Sequence, residues 1–365
     1  MFLYIFYYIY SLYKFYSHTY CIPMFPMFPS VLQIVLLVSI LLCLYLLVLL
    51  LQKRNSYFHL QWNKKTQESF MIKNSFTPIT EKYASMPLKE YVIKSSFHSA
   101  YGVDRTISHT NLIKIIKEEK ARVLDFELFV EKDEIVVGFA DNYKQMVASN
   151  TERFDQLMDT VAQNAFGVNI GSDPLFLHLR IHSNKQPVLS EIASILEYSF
   201  KGKMYESEVT PNTPLKNLLN KVVVLINVSP HYSSKYSKVT CPANAKECVS
   251  LEEVAHMDII GVSEDRLVSQ SIRPITPKVN SRRTNVQNYT MTMPDLNNYK
   301  GSHTDAFLKL VGNHGVQIAL FQFYLIDDSS NNLDKYRQFF EKNGSAFISM
   351  TAAVAYAEEH GDLEN

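Results

Sequence analysis

The chain has 365 residues, 47% of them apolar, and its 36 Lys and Arg balance 36 Asp and Glu. That length holds one large domain plus appendages, and the apolar share supplies a sizeable core. A net charge of zero argues against nucleic acid as the main partner.

Residues 1–29 are aromatic and Pro-rich, with Lys14 as their only Lys or Arg. They read as an interfacial segment, as a second imperfect span, or as an upstream extension with Met24 or Met27 as the start. Residues 30–52 contain an uncharged apolar run, Val31 to Leu51, of the length that crosses a bilayer. A cleaved signal peptide would have a shorter apolar core and a small-residue cleavage site, so one transmembrane helix is expected. Lys53, Arg54, Lys64 and Lys65 follow the span, which places the large domain on the cytoplasmic side of a single-pass protein. Residues 53–84 are polar and contain Pro78, as a linker does.

Cys21, Cys43, Cys241 and Cys248 make no zinc spacing. Cys241 and Cys248 flank a short loop and would bridge only in an oxidising compartment; the other reading is two unrelated loop thiols. Formal glycosylation sequons begin at Asn288 and Asn343.

Residues 85–356 alternate short apolar strands with helical patterns, and 357–365 form a polar tail. Strands are expected at 92–94, 122–130, 135–139, 175–181, 222–226, 316–325 and 347–350. Helices are expected at 112–120, 151–165 and 189–200. This order points to a parallel α/β architecture, and its length suits a TIM-type (β/α) barrel. A doubly wound sheet is the alternative, but no Gly-rich phosphate loop follows the first strand.

Barrel chemistry collects at the carboxyl ends of the strands. His98 follows the first strand. Asp125 and Glu127 share one face of the next long strand, because side chains alternate. His178, Arg180 and His182 share one face of the strand after that. Buried charges must be paired, so Arg180 is expected against Asp125 or Glu127. A base with two nearby carboxylates is a phosphodiesterase-like layout. The alternative is a core ion pair beside a structural histidine. His178 and His182 as metal ligands lack a third ligand at a fixed spacing.

These residues resemble the phosphoinositide-specific phospholipase C family, a TIM-barrel phosphodiesterase fold. Pro87 to Tyr101, with Ser95-Ser96-Phe97-His98-Ser99-Ala100-Tyr101 at its end, is similar to the family's first box. Arg122 to Glu127, Phe176 to His182, Lys221 to Ile226 and Gly315 to Leu320 follow in the family's order. The resemblance implies that His98 is the first catalytic histidine, acting on the inositol 2-hydroxyl. It puts Asp125 and Glu127 on calcium-ligand positions. It also implies departures. Ser99 stands where the family has a calcium-binding Asn, and Arg180 where it has a calcium-binding Glu. The second histidine's place falls on Phe139 or Asp141, and Leu225 and Asn227 replace phosphate-binding lysines. Calcium is the one cofactor the family implies, and Ser99 and Arg180 weaken it. A membrane lipid with a phosphoinositide-type headgroup is the expected partner.

Two readings follow. In one, a calcium-independent phosphodiesterase uses His98 with Arg180 in place of the metal, and Asp141 or His182 as the acid. In the other, the barrel is catalytically dead and binds a lipid headgroup or a protein. A purely structural membrane protein is a third.

Overall fold

The computed structural model describes residues 77–79, 83–141, 145–167, 171–228, 250–259, 261–263, 286–287, 289–294, 307–325 and 332–360. All belong to one compact unit, 74–365. The apolar span at 30–52, the four cysteines and Asn288 lie outside them. Among the described residues no helix is long and apolar enough to cross a membrane.

Two short 3-10 turns, Tyr83–Ser85 and Leu88–Glu90, lead into β1 (Tyr91–Ile93) and β2 (Ser95–Ser96). Then come α1 (His109–Lys117), β3 (Val123–Glu131), β4 (Glu134–Gly138), β5 (Glu152–Arg153) and α2 (Phe154–Asn164). β6 (Leu175–Ile181), α3 (Gln186–Ser199) and β7 (Val222–Asn227) continue the alternation. α4 (Leu251–Val254), β8 (Met257–Ile259), β9 (Gly261–Ser263), β10 (Met291–Met293) and α5 (Phe307–Gly312) follow. β11 (Ile318–Ala319), α6 (Asn332–Asn343), β12 (Phe347–Ser349) and α7 (Met350–Glu359) complete the order.

The described strands fall into two sheets, and among the described residues the single closed sheet expected from the sequence is not seen. One has the order β5-β4-β3-β6-β7-β8, with β2 also paired to β3; the other is β12-β1-β11-β10-β9. β2, β3, β6, β7 and β8 run parallel, as do β1, β11, β10 and β9. β12 lies antiparallel to β1, and β4 antiparallel to β3. The chain changes sheet at Lys94, between β1 and β2, and again between β8 and β9. An isolated parallel bridge joins Ser96 to Phe321. The β3–β4 hairpin turns on Lys132 and Asp133, whose φ angles of 50° and 65° suit a two-residue primed turn.

The helices pack apolar stripes read directly from their spacing. α1 buries Leu112, Ile115 and Ile116, and its N-cap Ser108 accepts from Asn111 N. α2 buries Phe154, Leu157, Met158 and Val161; α3 buries Leu189, Ile192, Ala193 and Leu196. Each fully buried Leu, Ile or Phe contributes about 1.5–3 kcal/mol. α7 runs through Glu359 and buries Ala357, so the packed unit reaches past 356. At the other end Ile79 is buried, and its N–H donates to Asp173 Oδ1 at 2.7 Å, within the stretch expected as linker.

Two buried cations hold the strand origins. Arg122, 1% exposed, donates to the carbonyls of Pro174, Ala165 and Asp173, tying the start of β3 to the end of α2 and the entry of β6. Lys94 sits 3.9 Å from Glu119 and lies over the rings of Phe323 and Phe340. Burial pushes its ammonium down to about 8, against the pull of Glu119.

Candidate active site

β3 and β6 pair in a register that sets Asp125 beside His178 and Glu127 beside Arg180. All four side chains point to the same side, away from the apolar face of Leu124, Phe126, Leu177 and Leu179. β7 adds Asn227 next to them. The alternation seen in the sequence therefore becomes a buried polar layer.

β2 delivers His98 to this layer through a tight turn. His98 takes a left-handed conformation, φ 45°, which an L residue adopts only when its surroundings hold it there. Three bonds do so. His98 N donates to Asp125 Oδ2 at 2.9 Å, Ser99 N donates to Asp125 O at 3.0 Å, and Asp125 N donates to Ser99 Oγ at 2.9 Å.

Arg180 lies at the centre and has no exposed surface. Its Nε donates to Asp125 Oδ1 at 2.9 Å and its Nη2 to Asp125 Oδ2 at 2.7 Å, a bidentate pair. Its Nη1 stands 3.5 Å from Glu127 Oε2. Nη2 is also 3.1 Å from His98 Nε2, and the guanidinium lies 4.8 Å from the Phe97 ring centre.

The histidines complete the layer. His178 Nδ1 donates to Asp125 Oδ1 at 2.8 Å, which leaves Nε2 to accept from Asn227 Nδ2 at 3.3 Å. His182 Nε2 bonds Glu127 Oε1 at 2.7 Å, and its ring stacks on Phe129. His182 is only partly buried, whereas His98, Asp125, Glu127, His178 and Arg180 are buried. Glu127 Oε2 accepts from Ala140 N at 3.2 Å and lies 3.8 Å from His98 Nε2.

The electrostatics follow from this packing. Burial would raise the Asp125 carboxyl, but Arg180 and the hydrogen bond from His178 outweigh it and hold it well below the usual carboxylate range. Glu127 is lowered in the same way, burial being overcome by Arg180, His182 and His98. Burial, then the charge of Arg180, pushes His98 down to about 3, against Glu127 and Asp125. His98 is thus a neutral imidazole at pH 7. Burial likewise lowers His178, against its bond to Asp125.

The donor set does not fit calcium. Calcium takes 6–8 oxygen ligands. Here all four carboxylate oxygens of Asp125 and Glu127 already accept from or face Arg180, His178, His182 and backbone N–H groups. A fixed guanidinium 2.7 Å from Asp125 also repels a divalent ion. Among the described residues no group of three His, Cys, Asp or Glu is disposed to hold a metal.

Of the residues singled out from sequence, His98, Ser99, Asp125, Glu127, Arg180 and His182 come together. Asp141 lies beyond β4 in a turn, where its Oδ1 accepts from Gln145 N at 2.9 Å and its N–H donates to Gln145 O. Phe139 stacks on His98 with centroids 3.7 Å apart, and Tyr101 and Tyr324 pack around it. The part played by Tyr101 and Tyr324 was not read from sequence, although Tyr101 ends the box that carries His98.

No family model matches the sequence. No curated protein matches it either. Its fold is matched by solved structures. PLC21 of L. pealei superposes with a TM-score of 0.55 at 14% identity, covering 73% of this chain and 37% of that one. PLC21 of S. officinalis gives 0.54 at 15% identity with the same coverages. The chain carries a phospholipase C-like fold. The resemblance seen in the sequence boxes therefore holds at the level of the fold. The phospholipase C-like unit spans little more than a third of the length of those two proteins. A calcium-dependent phosphoinositol-specific phospholipase C from Pseudomonas also aligns, with a TM-score of 0.42 at 10% identity over 76% of this chain and 99% of that one.

Proposed function

We propose that this chain is a metal-independent, phospholipase C-like phosphodiesterase acting on phosphatidylinositol-type diesters. Its two sheets are the halves of a TIM-type barrel, and the apolar segment 30–52 anchors it in a membrane with the large domain on the cytoplasmic side. The observation that carries the reading is Arg180, held bidentate by Asp125 with Nη2 3.1 Å from the ring of His98. A fixed cation thus stands beside the base, where the sequence resemblance puts a metal.

In this reading neutral His98 accepts the proton of the inositol 2-hydroxyl as its oxygen bonds to phosphorus. The Arg180 guanidinium stabilises the charge that grows on the phosphoryl oxygens. The bond from phosphorus to the lipid oxygen breaks, and His182 in its protonated form, held to Glu127 through Nε2, gives that oxygen the proton on Nδ1 and is left neutral. A histidine pushed down to about 3 is a weak base, so turnover is slow.

A second reading has its own support. His98 is 3% exposed and lies under Phe139, as expected of a catalytically inactive barrel that binds a headgroup or a protein. Hydrolysis of phosphatidylinositol vesicles by the full chain, in chelator, separates the two. Turnover that His98→Ala abolishes supports the enzyme. Vesicle binding without turnover supports the binding module.

A further inference from the structure

A cavity of about 410 Å³ opens beside the buried cluster, lined among others by Tyr101, Arg105, Phe139, Met146, Val147 and Tyr324. Phe139 belongs to both places. Its ring lies at the back of the cavity and is itself 0% exposed, covered on that side by Tyr101 and Tyr324, each 8% exposed. The ring also lies against the His98 imidazole at 3.7 Å between centroids and 25° between planes. Tyr101 meets Phe139 edge-on at 5.0 Å and meets Tyr324 at 4.8 Å. Three aromatic side chains thus form a wall between the cavity and the layer that holds His98 and Arg180. On the cavity side Val103, Arg105 and Met146 are exposed; on the other side His98 and Arg180 are buried.

The wall has room to open. The cavity is large compared with one benzyl side chain, so it can receive the Phe139 ring once Tyr101 and Tyr324, which cover it, swing aside. The backbone beneath it is fixed, because Val147 N donates to Phe139 O at 2.7 Å and Ala140 N to Glu127. Turning the ring gives up its stacking on His98 and its edge contacts with Phe97 and Tyr101, which a bound ligand must offset.

We propose that Phe139 is a plug: it closes His98 and Arg180 off from the cavity at rest, and a phosphodiester entering the cavity reaches them only when this ring turns outward. The cavity is then the vestibule of the site, with Arg105 as a cation on its wall. The proposal deepens the metal-independent phosphodiesterase reading and rests on it only for the identity of the ligand.

The test is acylation of histidines by diethylpyrocarbonate in the full chain, read by peptide mass spectrometry, with exposed His360 as the internal reference. The plug predicts that His98 reacts at least about tenfold more slowly than His360, and that Phe139→Ala raises the His98 rate by about tenfold or more. Val147→Trp, which fills the space the ring turns into, lowers the His98 rate further. The proposal is overturned if His98 reacts as fast as His360, or if folded Phe139→Ala leaves its rate unchanged. Should Phe139→Ala fail to fold, an unchanged or faster rate in Val147→Trp overturns it instead. Hydrolysis of phosphatidylinositol vesicles by the same variants keeps the two ideas apart. An opened His98 without turnover leaves the plug and removes the enzyme. Native turnover that Val147→Trp does not reduce leaves the enzyme and removes the plug.

Discussion

Arg180 and Asp125 form a bidentate pair with no exposed surface, at 2.9 and 2.7 Å, across two adjacent parallel strands. Breaking a buried pair from one side leaves the other charge stranded, at a cost of about 3–5 kcal/mol. Arg180→Met is therefore expected to destabilise the chain by that amount in urea denaturation. Asp125→Leu combined with Arg180→Met is expected to recover only part of the loss, since Glu127 stays buried without Arg180 and the His98 N–H and His178 Nδ1–H lose their acceptor. A single-variant cost below about 1 kcal/mol would mean that the pair is solvated.

Acid should weaken the fold before the carboxylates titrate. His98 is pushed down to about 3 in the folded chain, against about 6.5 for an unperturbed histidine. Between those values the unfolded chain binds one more proton than the folded one, so stability rises with pH. The His98 contribution is complete above pH 6.5 and is lost as pH falls toward 3, at about 1.4 kcal/mol per pH unit. Asp125 and Glu127, both lowered, add their own loss only below about pH 4. His98→Asn keeps a residue that tolerates φ 45° and removes the titrating ring. Urea midpoints between pH 6.5 and 4.5 should then fall less steeply in the variant, by about one proton; His178 retains part of the slope.

Arg122 is a staple whose role is structural. Arg122→Met removes three charge-assisted bonds and leaves the carbonyls of Ala165, Asp173 and Pro174 without this donor. A loss on the order of 3 kcal/mol is expected in thermal or urea unfolding. A variant as stable as the native chain would contradict the assignment.

Calcium should leave stability unchanged. A ligand at 100 times its dissociation constant stabilises the folded state by about 2.7 kcal/mol. The unfolding midpoint is expected to be the same in millimolar calcium and in chelator. A calcium-dependent rise would show that Asp125 and Glu127 hold the ion despite Arg180.

The central strands were legible because their chemistry alternates. Apolar and acidic residues take turns along 124–128, and aliphatic and basic ones along 177–182, so both strands and their shared polar face are legible. β11 is shorter than its apolar run over 316–325: Ile318–Ala319 form the strand, and Phe321 adds one bridge to Ser96. Gln317 turns its side chain to Thr290 N and to the carbonyls of Lys89 and Val286, and the residues after Phe321 turn away from the strands to carry Tyr324 toward Phe139. α6 was missed because polar residues dominate it; its apolar stripe of Leu333, Tyr336, Phe339 and Phe340 is narrow. β8, β9 and β10 have three residues each, too few to show a period. The ion pair at Arg180 was expected from charge alone. The stacking of Phe139 on His98 was not, because it depends on the left-handed turn at His98 and on the β3–β4 hairpin that returns Phe139 to the same layer.

The most direct test is phosphatidylinositol hydrolysis by the full chain in vesicles, with calcium and with chelator, beside Arg180→Lys. Slow turnover is expected, equal in both buffers and lower on the order of 10²-fold or more in Arg180→Lys, since a lysine loses the bidentate hold on Asp125 and the guanidinium geometry. Turnover that appears only with calcium, or that survives Arg180→Lys unchanged, would contradict a metal-independent site built on Arg180.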